Sequence, residues 1–171
     1  MASQLVVRNL ELADAPLIAA AFAEFAWPDK SEAKYRRYFE EQEAGARDVL
    51  VALLAGRFAG YGTIVWQPAY PTFREAGIPE IQDLNVLPPF RRRGVATAIM
   101  DEAEARVAAR VPAVGIGIGL YDDYGPAQRM YVLRGYVPDG KGITYNDEPV
   151  AGGEEVVAGD DLILWLTKQL R

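Results

Sequence analysis

The sequence predicts one α/β domain of about seven strands and four helices. Three observations lead there. Stretches of β-rich hydrophobicity alternate with stretches whose apolar residues recur every three or four positions. Prolines and glycines fall between these stretches, where turns belong. No repeat, linker or low-complexity tract interrupts the 171 residues, a length suited to a single domain with a full core.

The elements follow in order. Gln4 to Arg8 alternates weakly and reads as a first strand. Asp14 is placed to cap a helix with Pro16 in its first turn; Leu17, Ile18, Ala21, Phe22 and Phe25 give it an apolar face, and Pro28 ends it. Ser31 caps a second helix to about Ala44, with Tyr35, Tyr38 and Phe39 opposite a charged side. Asp48–Leu54 and Phe58–Trp66 form a hairpin about Gly56, and residues 67–79, with three prolines, read as a long loop. A strand from Glu80 to Val86 precedes a helix from Gly94 to Arg110, which has Val95, Ile99, Ala103 and Val107 on one face and Pro112 as its stop. Ala113–Leu120 is β-rich with Gly115, Gly117 and Gly119 on one face; that face accepts either a bulky ligand or tight packing. A short helix from Pro126 to Arg134 ends at Gly135, and a final β section covers about 142–146 and Asp161–Lys168.

Composition removes whole classes of chemistry. The chain has no cysteine, no histidine and only two serines, Ser3 and Ser31. Thiolate metal sites, cysteinyl intermediates and Ser-His-Asp triads are therefore excluded, and no metal is expected. Proton transfer falls to Asp, Glu, Tyr, Lys or water. A net charge of −6 and a pI near 4.8 argue against nucleic acid as a partner and favour a cationic acceptor. The first residues lack the apolar run of a signal peptide, and no stretch is long enough to span a membrane, so the expectation is a cytoplasmic protein with no membrane partner.

Against this acidic background stands Val86-Leu-Pro-Pro-Phe-Arg91-Arg92-Arg93-Gly94-Val95-Ala96-Thr97, where a strand meets a Pro-Pro break, three arginines and a helix start. The first amides of a helix have no intrahelical partner, and the peptide dipoles leave about half a positive charge there. Small residues at Gly94 and Ala96 admit a ligand close to that backbone, so the segment suits a phosphate or pyrophosphate. Its spacing, Arg91-x-x-Gly94-x-Ala96, resembles the acetyl-CoA signature of the GNAT family of N-acetyltransferases. Downstream, Tyr124-Gly-Pro-Ala127-Gln-Arg-Met130-Tyr131-Val-Leu-Arg-Gly135-Tyr136 resembles the second signature of that family. The resemblance covers nearly the whole chain and is strongest between residues 80 and 137.

The resemblance implies a mixed, mostly antiparallel sheet flanked by helices and an acetyl-CoA-dependent N-acetyltransferase. It implies that the main chain of Leu84, Asn85 and Val86 pairs with the pantetheine arm and that amides from Arg92 through Thr97 hold the pyrophosphate, with Arg91 and Arg93 beside them. It places Tyr131 near the thioester sulfur, where a phenol can protonate a departing thiolate. Tyr124 stands where the family has asparagine, a departure that makes it a cofactor contact or a wall of the acceptor pocket. Glu80 matches the catalytic glutamate of the histone-acetylating branch, and Asp83 is the second carboxylate available as base. Strict alternation puts the two on opposite faces, although a bulge in this strand would re-aim either.

The acceptor is less legible. Trp27, Tyr70, Phe73 and Arg74 are candidate wall residues, although loop aromatics also serve as a private core. Asp122 and Asp123 attract an ammonium or simply make a turn. The acceptor expected is a small-molecule or peptide amine, and family precedent suggests a homodimer. The competing function is a catalytically silent acyl-CoA-binding regulatory module of the same fold.

Overall fold

The computed structural model describes residues 4–171; Ser3 and the two residues before it, the start of the stretch that lacks a signal peptide's apolar run, lie outside it. Its Cα framework divides into two compact units, 4–66 with 81–106, and 67–80 with 107–171. The described residues form eight strands and five α-helices, one of each more than the sequence predicts.

In the first unit the strand order is β1 (Leu5–Asn9), β2 (Arg47–Leu54), β3 (Arg57–Val65) and β4, which spans Glu80–Val86 and enters this unit at Ile81. The β1–β2 and β2–β3 ladders are antiparallel, with Leu50 opposite Gly62 and Val51 opposite Tyr61. Helix α1 (Asp14–Ala23) buries Ala15, Ile18 and Phe22, whereas Leu17 is 64% exposed and does not belong to the apolar face. Asp14 is not the N-cap. Ala13 holds that position, and the Asp14 carboxylate instead takes the Arg8 guanidinium at 2.7 and 2.8 Å and the Glu11 amide at 2.8 Å. A bidentate arginine outcompetes a single backbone amide for the same oxygens. Helix α2 (Glu32–Glu43) starts as expected, with Ser31 Oγ accepting from the Lys34 amide, and buries Tyr35 and Tyr38. Helix α4 (Val95–Ala108) buries Val95, Ile99 and Ala103. A Cβ on Gly62 would lie 2.8 Å from Ile99 Cγ2, so the glycine lets α4 settle closely on β3.

In the second unit the strand order is β5 (Ala113–Gly119), β8 (Leu162–Gln169), β6 (Val137–Tyr145) and β7 (Glu148–Pro149), joined by antiparallel ladders. The segment expected as a loop contains a further helix, α3 (Pro71–Ala76). Its signals are a proline at the first turn and a left-handed Gly77 past the end, with Ile78 N–H donating to Phe73 O at 2.9 Å. Helix α5 (Gly125–Leu133) ends by the same device at Gly135, φ +90°, with the Tyr136 amide on Tyr131 O at 3.0 Å.

The glycine face of β5 is filled by the protein itself. Added Cβ atoms at Gly115 and Gly119 would lie 2.1 Å from the Phe73 ring and 2.4 Å from the Tyr124 ring, and one at Gly117 would lie 2.8 Å from Trp165. Of the two readings left open by the sequence, tight packing is the one observed. No described helix is long and apolar enough to cross a membrane.

Candidate active site

Strand β4 is irregular at Asp83, whose φ is +55°. A side-chain-bearing residue in the left-handed region costs of order 1–3 kcal/mol and must be held there. Asn85 Nδ2 donates to the Asp83 carbonyl at 2.9 Å, and the carboxylate is tied from outside the strand. Tyr38 Oη donates to Asp83 Oδ2 at 2.5 Å, Lys34 Nζ lies 3.1 Å from the same oxygen, and Tyr61 Oη is at 3.5 Å. Burial alone would raise the Asp83 carboxyl, but the Tyr38 hydrogen bond with Lys34 and Lys30 holds it below the usual carboxylate range. This kink ends the strict alternation on which opposite facing of Glu80 and Asp83 was expected.

Beyond Val86 the chain turns through Pro88–Phe90 into the arginine segment. Arg91 Nε donates to the Val86 carbonyl at 3.2 Å, and its guanidinium lies 5.7 Å from the Trp27 ring centroid. Arg92 and Gly94 both have left-handed backbone, φ +59° and +81°. Left-handed residues set into a turn gather successive amides into a concave anion seat. The first bond inside α4 is Ala98 N–H to Gly94 O at 2.9 Å, so the amides of Val95, Ala96 and Thr97 precede the helical ladder. An added Cβ at Gly94 would meet nothing within 4 Å, and Arg91 through Gly94 are exposed. Donor set, conformation and clearance fit the pyrophosphate of a CoA thioester. Asp83 through Val86, Arg91 through Thr97 and Trp27 thus form one connected region of the first unit.

The remaining expected residues belong to the second unit. Glu80 opens β4 and is 5% exposed. Tyr131 is the buried residue of α5, packed on Tyr136 at 5.8 Å, and burial pushes its phenol up, so it stays protonated. Tyr124 lies on Gly119, and its hydroxyl donates to Asp160 Oδ1 at 2.9 Å. Phe73 is fully buried and Tyr70 is 5% exposed, in a cluster with Trp165. Enclosed rings offer no wall to an acceptor, so the substrate role expected of Phe73 and Tyr70 gives way to a core role. Trp27 remains partly accessible, stacked at 5.0 Å on Phe22.

Sequence reasoning missed Lys30, Lys34 and Tyr61 and took Tyr38 only as part of an apolar face. Lys30 Nζ donates to Tyr61 Oη at 3.0 Å and lies 5.4 and 5.3 Å from the Phe22 and Tyr61 ring centroids. The available signal was two lysines four apart astride the Ser31 cap, just ahead of the tyrosines of α2.

Solved structures share this fold at low sequence identity. A Desulfovibrio desulfuricans protein assigned to the GNAT family aligns with a TM-score of 0.73 at 14% identity, covering 98% of this chain and 100% of its own. A spermidine N-acetyltransferase chimera of Vibrio cholerae SpeG and hSSAT gives 0.70 at 16%, with 98% and 96% covered. Salmonella typhimurium yncA, solved with its cofactor acetyl-CoA, gives 0.69 at 16%, with 98% and 94% covered. No curated protein sequence matches the chain. The family model described as acetyltransferase (GNAT) family matches residues 10–136, more than half of the sequence, and the chain belongs to that family.

Proposed function

We propose that the chain is an acetyl-CoA-dependent N-acetyltransferase that acetylates a primary amine by direct attack in a ternary complex, its two units working as one domain. The observation that carries this is the Arg92–Thr97 segment, where two left-handed residues and three pre-helical amides make an anion seat beside exposed arginines. The presence of acetyl-CoA in the yncA structure supports the identity of the donor.

The donor supplies an acyl thioester open to attack by an amine. The chain supplies the rest. Amides of Arg92 through Thr97 and the side chains of Arg91–Arg93 bind phosphate, and the Leu84–Val86 main chain orients the arm. With no cysteine or histidine to carry an acyl group, transfer is direct. Tyr131, kept protonated by burial, holds a proton at Oη for the departing sulfur. An amine with a reference pKa of about 10.4 must lose a proton first. Asp83, held below the carboxylate range by its donors, is a weak base and anchors the kink instead. Glu80 is therefore the base, acting through water.

The test is free-thiol release from acetyl-CoA against a panel of amines, with acetyl-CoA binding measured separately. Tyr131→Phe is expected to lower turnover by about 10²–10⁴-fold, the usual range for a lost general acid, while binding acetyl-CoA normally. Gly94→Trp is expected to abolish acetyl-CoA binding in a folded protein. Unchanged affinity in that variant would remove the donor assignment. Tight acetyl-CoA binding with no amine-dependent release by the unaltered chain would favour the silent regulatory module.

A further inference from the structure

Two neighbouring strands of the first unit, β3 and β4, are both irregular, and their irregularities meet. In β4, Asp83 is left-handed, and its carboxylate is tied to Tyr38 and Lys34 of α2. In β3 the register against β2 slips by one. Ala52 lies opposite Gly60 but Leu53 lies opposite Phe58, so Ala59 is an extra residue in the strand. The carbonyl of this bulged Ala59 accepts the Leu87 amide at 2.9 Å and pins the chain just past the end of β4.

Gly60 lies against the segment between those two fixed points, Asp83 and Leu87. A Cβ on it would stand 2.5 Å from the Asn85 carbonyl oxygen, 3.0 Å from Val86 Cα and 3.2 Å from Val86 Cγ2. In a regular sheet a side chain stands perpendicular to the sheet, and the neighbouring strand runs about 4.8 Å to its side. A carbonyl only 2.5 Å from the Cβ position has left that plane. Beyond Asp83 the main chain of β4 has climbed onto the face of β3, into the space a side chain at residue 60 would fill. The backbone of Gly60 is not left-handed, so room rather than conformation requires glycine there. Gly62, on the same face, supplies the contrast. A Cβ there would meet Ile99 Cγ2 at 2.8 Å and Leu84 Cδ1 at 3.5 Å, so its strain falls on side-chain packing under α4. At Gly60 the two nearest atoms are main chain, which no rotamer change can move. With the segment held at both ends, a methyl group would have to lift it bodily.

We infer that Gly60 is a positioning residue for the acyl donor. Its bare face sets the height of the Leu84–Val86 main chain, and with it the alignment of the amides and carbonyls that orient the arm. The inference rests on the acetyl-CoA reading and adds to it a residue that acts through β4. A misplacement of about 1 Å can cost about a hundredfold where geometry is positioned for reaction, so a small lift is enough to register. The anion seat begins beyond Phe90, past the pinned Leu87, and does not depend on this contact.

The test compares dissociation constants, by calorimetry, for acetyl-CoA and for adenosine 3′-phosphate 5′-diphosphate, the nucleotide of CoA without its arm. Gly60→Ala is expected to weaken acetyl-CoA by about tenfold or more while the nucleotide stays within about twofold. Gly62→Ala, which strains side chains, should lower the melting temperature without opening that split. A Gly60→Ala protein that loses stability alone, or that loses both ligands equally, would overturn the inference. A second readout needs no substitution. In the ¹⁵N-glycine-labelled native chain, the assigned Gly60 amide signal should shift with acetyl-CoA and stay in place with the nucleotide. A Gly60 signal indifferent to saturating acetyl-CoA would overturn the inference even where the variant does not fold. If the unaltered chain binds neither ligand, the acetyl-CoA reading itself fails and the inference falls with it. Binding of both with no split in Gly60→Ala is failure of the inference alone.

Discussion

Two aromatic clusters, one in each unit, are built from similar residues and finished differently. In the second unit Tyr70 stacks on Trp165 at 4.1 Å and Phe73 meets both edge-on. Each polar handle there has a home: Tyr70 Oη donates to Asp139 at 2.8 Å and Trp165 Nε1 to Thr144 at 2.9 Å. In the first unit the ring centroids of Phe22, Tyr35, Tyr38 and Tyr61 stand farther apart, 5.4–6.5 Å, and two lysines and an aspartate thread them, with Lys34 and Tyr38 on Asp83 and Lys30 Nζ on Tyr61 Oη. A saturated aromatic cluster contributes stability. One threaded by partly buried ions gives up some of that stability to their desolvation.

That contrast is tested most severely by Phe73→Ala. Emptying a fully buried ring position should cost about 3–5 kcal/mol in urea denaturation and leave acetyl-CoA affinity of the folded protein unchanged. In the other cluster Tyr38→Phe removes the 2.5 Å donor to Asp83 and should cost about 1.5–3 kcal/mol at neutral pH. Asp83 is held below the ordinary carboxylate value of 3.8, so its contribution is present above that pH and disappears as pH falls through the folded value. The penalty of Tyr38→Phe should therefore shrink in acid, whereas that of Phe73→Ala should not. The smallest effect is expected for Lys30→Met. The Lys30 ammonium is lowered from 10.5 to about 8, so the folded state is penalised for its charge below pH 8 and relieved as pH rises toward 10.5. With solvent screening discounted, Lys30→Met should stabilise the chain by no more than about 1 kcal/mol at pH 7, and the gain should fade across that alkaline window. A destabilised Lys30→Met would mean that the cation–aromatic contacts outweigh desolvation and that the two clusters differ less than their hydrogen bonds suggest.

The same contrast separates what could be read from sequence from what could not. The arginine segment, the helix after it and the Gly135 terminus were legible because local chemistry dictates them: amides at a helix start, a Pro-Pro break, a left-handed glycine. Helix α3 was hidden because three prolines between 67 and 79 signal a loop more loudly than one of them signals a first turn. The Asp83 kink left little local mark, since apart from Asn85 the groups that hold it, Lys34, Tyr38 and Tyr61, come from α2 and β3. Tyr70 and Phe73 were misjudged as acceptor wall for a related reason. Nothing near residue 73 announces that Gly115, far along the chain, has vacated the space its ring fills.

Those vacated positions on β5 bear on how the sequence can drift. Each glycine is a socket cut for one ring, with Phe73 in Gly115 and Tyr124 in Gly119. A side chain added at the socket collides with its ring, and a smaller residue at the ring leaves a void. Neither partner can change first without loss, so these positions should be inherited as couples, with glycine and aromatic replaced together or kept together across homologous chains.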